Sequence, residues 1–306
     1  MDNPHKIADQ FHAEILRLRA QHPAQYLFAL LDPHRPVDAD HPLYLTSLRQ
    51  REPKLDIQAV LRPDLDYLPE LCPHLLTLAQ PHDASPLAED LLAELAEQAG
   101  AESGSSDGAY MCGVLASRAA AFDTAHHLAQ ALVVSPSEDT ARRVIALFEP
   151  PRLEALARSV PQPWLDAWLG PITAWRYLDA AGQIRQINRA SELPAAASAI
   201  LPPGAAAAQQ RIPLLNKLLS AWRDMDVLPP DAAKRADEQL LKAAQQGLSA
   251  SGDQLFFALN GLLLPERWVQ HPATRACIQR AVQAESSLAD AFAKLDAYTQ
   301  KEIARP

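Results

Sequence analysis

Residues 1–190 alternate between amphipathic stretches and short apolar runs. Apolar residues recur at helical spacing over residues 4–21, and the continuous apolar run of residues 25–31 is typical of a buried strand. The same patterns predict further strands and helices. The strands are 56–61, 109–115, 131–134, 144–148, 174–178 and 183–187, and the helices are 86–98, 122–131, 152–158 and 163–168. Because the two kinds of element are interleaved, this part of the chain is predicted to form an α/β or mixed α+β lobe.

The pattern changes after residue 190. Residues 191–210 are rich in alanine and proline, and Leu201-Pro-Pro-Gly204 is a break signal, so this stretch is predicted to be a linker. Beyond it the strand pattern disappears, and helices are predicted over 212–224, 230–246, 253–264 and 272–301. The expected architecture is a mixed α+β N-terminal lobe of residues 1–190 and a smaller all-helical lobe of residues 211–306.

Charge and composition restrict the expected partners. The 306 residues carry a net charge of −9, and all of the excess acid lies in residues 1–190, because residues 191–306 hold twelve basic and twelve acidic side chains. A chain of this charge is not expected to bind the phosphate backbone of a nucleic acid. The first residues lack the pattern of a signal peptide, and no apolar run approaches the roughly 18 residues of a membrane span. We therefore expect a cytoplasmic protein that does not insert into membranes.

The sequence lacks the common signatures of catalysis and of cofactor binding. Its ten glycines form no G-x-G pair, which excludes the dinucleotide fingerprint, and the P-loop, G-x-S-x-G, C-x-x-C and H-E-x-x-H motifs are absent. No cofactor or metal is expected. Neighbours in a helix project about 100° apart, so His126 and His127 are interpreted as a structural pair and not as joint metal ligands. Asp32, which precedes Pro33, either caps a turn or supplies a catalytic acid.

Two tryptophans of the helical lobe are candidates for contacting a protein partner. Trp222 adjoins Arg223, and Trp268 follows the apolar pair Leu262 and Leu263. Tryptophan and arginine are enriched among the residues that dominate binding energies at protein interfaces. Because the helical lobe is close to neutral, its surface is expected to be less costly to desolvate than that of the acidic lobe. These five residues are therefore the predicted partner-binding candidates.

The middle of the chain resembles a known family. Val144 to Leu156, followed by Trp168-Leu-Gly-Pro-Ile172 and Trp175-Arg-Tyr177, is similar to the aromatic, acid, proline and arginine signature of the effector adaptor (chaperone) family of bacterial type VI secretion, long labelled a domain of unknown function. Further segments resemble the same family: 26–32, 110–117, 126–134, 247–255 and 271–275. The chain departs from the signature at Leu147, which replaces an aromatic residue, at Glu149, which replaces Asp, and at Arg152, which stands one place late.

The resemblance implies a non-enzymatic adaptor. Members bind one secreted toxic effector protein and transfer it to the VgrG or PAAR component of the secretion spike, and the helical lobe takes part in choosing the cargo. The family-motif residues of this chain are then scaffold residues: Asp32, Phe148, Glu149, Pro150, Arg152 and Trp175. A strand that ends at Phe148-Glu149 and meets two prolines must turn sharply, with Arg152 in the helix that follows.

Two other functions stay open at this point. One is an enzyme with an unrecognised acid/base site built around Asp32 and either His126 or His127. The other is a structural or immunity-like interaction protein.

Overall fold

The computed structural model describes residues 4–35, 37–83, 87–103, 108–191 and 199–305. They fall into two compact units, Met1–Gln210 and Arg211–Pro306. The helices of the first unit are α1 (Pro4–Gln21), α2 (Leu45–Arg51), α3 (Glu89–Glu102), α4 (Ala121–Ala131), α5 (Pro150–Ser159) and α6 (Gln162–Leu169). Its strands are β1 (Tyr26–Leu31), β2 (Ile57–Ala59), β3 (His74–Ala79), β4 (Met111–Ser117), β5 (Val133–Val134), β6 (Arg143–Val144), β7 (Ile172–Leu178) and β8 (Ile184–Asn188).

The first unit is built on a six-stranded antiparallel sheet. The strand order is β2-β3-β1-β4-β7-β8, while β5 and β6 form a separate ladder of two residues each. At one end of the central pair Leu31 lies opposite Met111, and at the other end Tyr26 lies opposite Ser117. On β7, Ile172 pairs with Ser117, so β7 begins at the Tyr26 end of the sheet.

Helices cover both faces of this sheet, which explains the continuous apolar run of β1. Successive side chains of a strand point to opposite faces. Leu27, Ala29 and Leu31 pack in one cluster with α1 and α3, while Phe28 and Leu30 pack in the other with residues of α4, α5 and α6. A strand buried on both faces has no polar face, so its sequence does not alternate.

The second unit is helical. Helix α7 (Pro203–Arg223) contains residues of both units, and it is followed by α8 (Ala232–Gln245), α9 (Ser251–Leu263), the 3-10 helix Glu266–Gln270, α10 (Pro272–Val282), α11 (Leu288–Ala293) and α12 (Ala297–Ile303). No strand occurs among residues 211–305. The fold class predicted from the sequence, a mixed α+β lobe and a smaller all-helical lobe, is confirmed.

Several predicted elements were wrong in extent. The predicted strand 144–148 is a strand only at Val144, because the chain turns there to begin α5 at Pro150. Proline is favoured in the first turn of a helix, where its missing N–H costs nothing. For the same reason Leu201-Pro-Pro-Gly204 is not a break: α7 begins at Pro203, so the predicted linker is helical from there, while residues 192–198 lie outside the described residues.

The single long helix predicted over 272–301 is three short ones. Ala284 adopts a positive φ of 58° just after α10, a conformation that ends helices. The Ser287 side chain then accepts a hydrogen bond from the backbone of Asp290, and the Asp296 side chain accepts from those of Tyr298 and Thr299. Each side chain caps the start of a new helix.

Sequence patterns missed α2 and β3. Strand β3 lies between β1 and β2 in the sheet.

Within the described ranges, no helix is both long enough and apolar enough to cross a membrane.

Candidate functional site

Asp32 lies at the carboxyl end of β1 and is completely buried. Its backbone N–H donates to the Tyr110 carbonyl at 2.7 Å, which places the residue at the start of β4. The Oδ1 atom accepts a hydrogen bond from the His34 backbone at 3.2 Å. The Oδ2 atom is also buried, and it has no hydrogen-bond partner among the described residues. Asp32 thus combines the turn-capping role predicted for it with an unpaired carboxyl oxygen.

Glu149 and Arg152 come to the same region from the start of α5. Glu149 Oε2 accepts from Arg152 Nε at 3.1 Å, and its Oε1 lies 3.7 Å from Nη2 of Arg35. Arg152 Nη1 lies 3.3 Å from both the carbonyl and the side-chain oxygen of Gln209, and the Gln209 amide donates back to the Arg152 carbonyl at 2.9 Å. We call Asp32, Arg35, Glu149, Arg152 and Gln209 the motif network.

The local sequence explains why Glu149 faces these arginines. Phe148 and Pro150 on either side of it are buried, and Pro150 starts α5 without an N–H to satisfy. The Glu149 carboxylate accepts no capping hydrogen bond from a backbone N–H of its own helix, and it lies between the guanidinium groups of Arg152 and Arg35. Although Arg152 stands one residue later than in the family signature, it reaches both Glu149 and α7.

Burial makes the Asp32 carboxyl group a weaker acid than an aspartate in water. Removal from water raises the pKa of its carboxyl group to about 7, and the negative charge of Glu149 acts in the same direction. The hydrogen bond from His34 and the charges of Arg62 and Arg35 oppose the rise. Asp32 is therefore partly protonated near neutral pH.

The raised pKa predicts how stability depends on pH. Above about pH 7 the folded protein must hold a buried carboxylate. As the pH falls from about 7 to about 4, the folded state binds a proton at Asp32 while the unfolded state does not, so the free energy of unfolding rises. Between pH 6 and pH 8 the free energy of unfolding should therefore fall by about 1 kcal/mol through Asp32 alone. Urea unfolding at the two pH values measures the difference, and in Asp32→Asn this contribution should vanish.

Asp64 provides the control for this experiment. Its hydrogen bond with Arg62 lowers the pKa of the Asp64 carboxyl group, so Asp64 does not titrate between pH 6 and pH 8. In Asp64→Asn the free energy of unfolding should therefore differ between these two pH values by as much as it does in the wild type. If wild type and Asp32→Asn lose equal stability over this range, the proton does not reside on Asp32.

Trp175, the remaining motif residue, lies on β7, and its side chain packs in the core on one face of the sheet. It is completely buried, its ring stacks on that of Trp168 with centroids 6.2 Å apart, and its Nε1 donates to the Cys112 carbonyl at 3.4 Å. The neighbouring Gly113 has a φ of 130°, and a Cβ atom there would lie 2.7 Å from the same Nε1 atom. Glycine is thus required for Trp175 to pack as it does.

The histidines of the enzyme hypothesis are not brought to Asp32. His127 Nε2 lies 2.8 Å from the Trp168 carbonyl, close to Gly170 and the start of β7, while His126 stacks on Phe122. The start of β7 is at the Ser117 end of β4, whereas Asp32 is at the Met111 end. Six steps along a strand span about 20 Å, so Asp32 and His127 cannot act on one substrate group. Within the described residues no group of three or more His, Cys, Asp or Glu side chains is placed to hold a metal ion.

The two tryptophans predicted to contact a partner are buried in the helical unit. Trp222 is 3% exposed, with the Arg235 guanidinium 5.2 Å from its ring centroid. Trp268 is 1% exposed and packs against Phe257. Helical spacing alone does not distinguish a buried aromatic residue from an exposed one, so the prediction that they are exposed anchors was wrong. Of the other three candidates, Arg223 and Leu262 are half-buried and Leu263 is exposed.

Sequence reasoning missed Arg35 and Gln209, the other two members of the motif network. Neither stands in a motif, and each joins the network through a contact made only when distant segments fold together. Comparison of the chain with family models, with curated proteins and with solved structures gave no match. The resemblance to the adaptor family therefore rests on the sequence segments quoted above.

Proposed function

We propose that this chain is an adaptor (chaperone) of type VI secretion. In this proposal it is cytoplasmic, binds one secreted toxic effector protein and presents it to the VgrG or PAAR component of the spike. The observation that carries the proposal is the motif network: Glu149 pairs with Arg152 and lies 3.7 Å from Arg35, whose backbone N–H donates to the carbonyl of Asp32, in a segment distant in sequence from α5. Motif residues that assemble into one scaffold support the idea that the resemblance reflects a shared structural unit.

The geometry of the network favours a scaffold over a catalytic centre. Asp32 is completely buried, and Arg152 is bonded to both Glu149 and Gln209, so these groups stabilise the junction of β1, α5 and α7. A catalytic acid must come within hydrogen-bond reach of its substrate. The separation of Asp32 from His127 is a second argument for binding over acid/base catalysis.

Deletion of the gene tests the proposal. If the chain masks an aggregation-prone surface of its effector, loss of the chain should lower the soluble amount of that effector, because binding shifts the effector away from aggregation by mass action. We expect the effector encoded beside this gene to disappear from the secreted fraction, while the tube protein of the secretion machine is secreted as before. Re-expression of the wild-type chain should restore secretion. Unchanged effector abundance and secretion in the deletion strain would refute the adaptor role.

A further inference from the structure

The helical unit contains a groove whose polar side chains have no partner among the residues that the structure describes. The groove has a volume of about 440 Å³ and lies between the end of α8, the 3-10 helix Glu266–Gln270 and α10. Its polar lining consists of four glutamines and one arginine: Gln246, Gln270, Gln279, Gln283 and Arg275. Pockets of this size are typical of ligand sites.

Arg275 differs from other arginines of the same unit. Arg211 forms an ion pair with Asp237 at 2.8 Å, and Arg267 donates to the Arg305 carbonyl at 3.0 Å. In the part of the chain that the structure describes, the Arg275 guanidinium has neither a carboxylate nor a carbonyl partner, and the four glutamine amides make no hydrogen bonds. The lining of the groove therefore carries one positive charge and no negative charge.

The remaining lining is apolar. Val269, Ile278 and Val282 lie in the groove, and Val282 is 47% exposed. Gly247, which ends α8 with a φ of 83°, adjoins this side chain: a Cβ atom at Gly247 would lie 3.5 Å from Val282 Cγ2. The positive φ at position 247 favours glycine there.

This combination of groups matches an extended peptide. A glutamine amide both donates and accepts hydrogen bonds, as the peptide groups of an extended segment require. Arginine pairs with carboxylates through two parallel hydrogen bonds, and exposed valine provides apolar contact for a side chain of the partner. A lone anion would have no use for the apolar residues, and a nucleic acid needs several basic side chains along its phosphates, whereas the lining of the groove offers one arginine.

We infer that this groove binds an extended acidic peptide segment, with the glutamines on its peptide groups and Arg275 on an aspartate or glutamate side chain. The assignment of that segment to the effector rests on the proposed function. The peptide specificity of the groove does not.

An array of random octapeptides with amidated C-termini tests the inference on the full chain. The wild-type protein should bind peptides enriched in Asp or Glu, and Arg275→Gln should bind them at least about tenfold more weakly, because a charge-assisted pair is replaced by a neutral contact. Lys217→Gln is the matched control: it removes one positive charge from an exposed position of α7 outside the groove, and it should bind as the wild type does. Val282→Glu, which adds a carboxylate to the groove, should abolish binding.

Three results would overturn the inference. The first is an absence of acidic residues among the enriched peptides, and the second is equal peptide binding by the wild type and Arg275→Gln. The third is displacement of a bound peptide by inorganic phosphate at the same concentration as the peptide, which would show that the groove binds any anion. Arg275 is exposed, so its substitution should leave the circular dichroism spectrum unchanged.

The failure of this inference can be distinguished from failure of the adaptor proposal. If an effector co-purifies equally well with the wild type and with Arg275→Gln, the effector does not occupy this groove and the adaptor function stands. If acidic peptides bind through Arg275 but no effector co-purifies, the groove assignment stands and the adaptor function is wrong.

Discussion

Trp268→Ala is expected to lower the free energy of unfolding of the helical unit by about 3–5 kcal/mol. Trp268 is 1% exposed, and its ring centroid lies 5.2 Å from that of Phe257 and 6.4 Å from that of Phe292. Truncating a buried tryptophan to alanine typically costs about 3–5 kcal/mol, through lost burial and the cavity that remains. A unit of this size has a free energy of unfolding of only about 5–15 kcal/mol, so the loss removes a large part of its stability.

Urea unfolding of the full chain, followed by far-UV circular dichroism, measures this effect. Leu263→Ala is the control, since Leu263 is 37% exposed and its truncation should change stability by no more than about 0.5 kcal/mol. A Trp268→Ala protein with the unfolding midpoint of the wild type would show that the indole is not part of the core. Any loss of partner binding in Trp268→Ala should accordingly be accompanied by a loss of stability.

Arg176→Met should destabilise the first unit by a similar amount. Arg176 lies on β7, and its Nε donates to Glu14 Oε1 of α1 at 3.0 Å, with both side chains less than one-tenth exposed. A second nitrogen, Nη1, donates to the Asn188 side chain at 2.9 Å, and Glu14 also accepts from Arg17. Replacing Arg176 leaves the buried Glu14 carboxylate with only the largely exposed Arg17 as a charged partner, and breaking a buried ion pair costs about 3–5 kcal/mol.

The double variant Glu14→Leu/Arg176→Met separates this explanation from simple loss of packing. With both charges replaced by apolar side chains, we expect most of the lost stability to return. Arg51→Met is the matched control, because Arg51 pairs with Glu94 at the surface and such pairs contribute about 0–1 kcal/mol. If the double variant is less stable than Arg176→Met, the cost does not arise from the Glu14 carboxylate that has lost Arg176.

The sequence predicted those elements whose pattern is local. The apolar run of β1 identifies a strand that is buried on both faces of the sheet. The helical spacing of apolar residues in α1 identifies the face of the helix that packs against the sheet. Helix α2 and strand β3 were missed. The three helices over residues 272–303 were predicted as one, since a positive φ at Ala284 is not encoded by any glycine or proline.

The candidate site shows the same limit. Asp32, Glu149 and Arg152 were identified as motif residues, but no sequence signal joins them to Arg35 or Gln209. Those contacts exist only because α5 and α7 pack beside the end of β1. Likewise, the spacing of Trp222 and Trp268 is compatible with either an exposed or a buried position, and burial is decided by the helices that surround them.

The adaptor proposal is tested most directly by co-expression of the full chain with the effector encoded beside it. The proposal requires that the effector be insoluble or aggregated when it is expressed alone. Together with this chain it should elute as one complex of defined stoichiometry in size-exclusion chromatography at about 10 μM, a concentration well above the dissociation constant of a stable complex. An effector that is soluble and monodisperse by itself, and that elutes separately from this chain at the same concentration, would contradict the proposal.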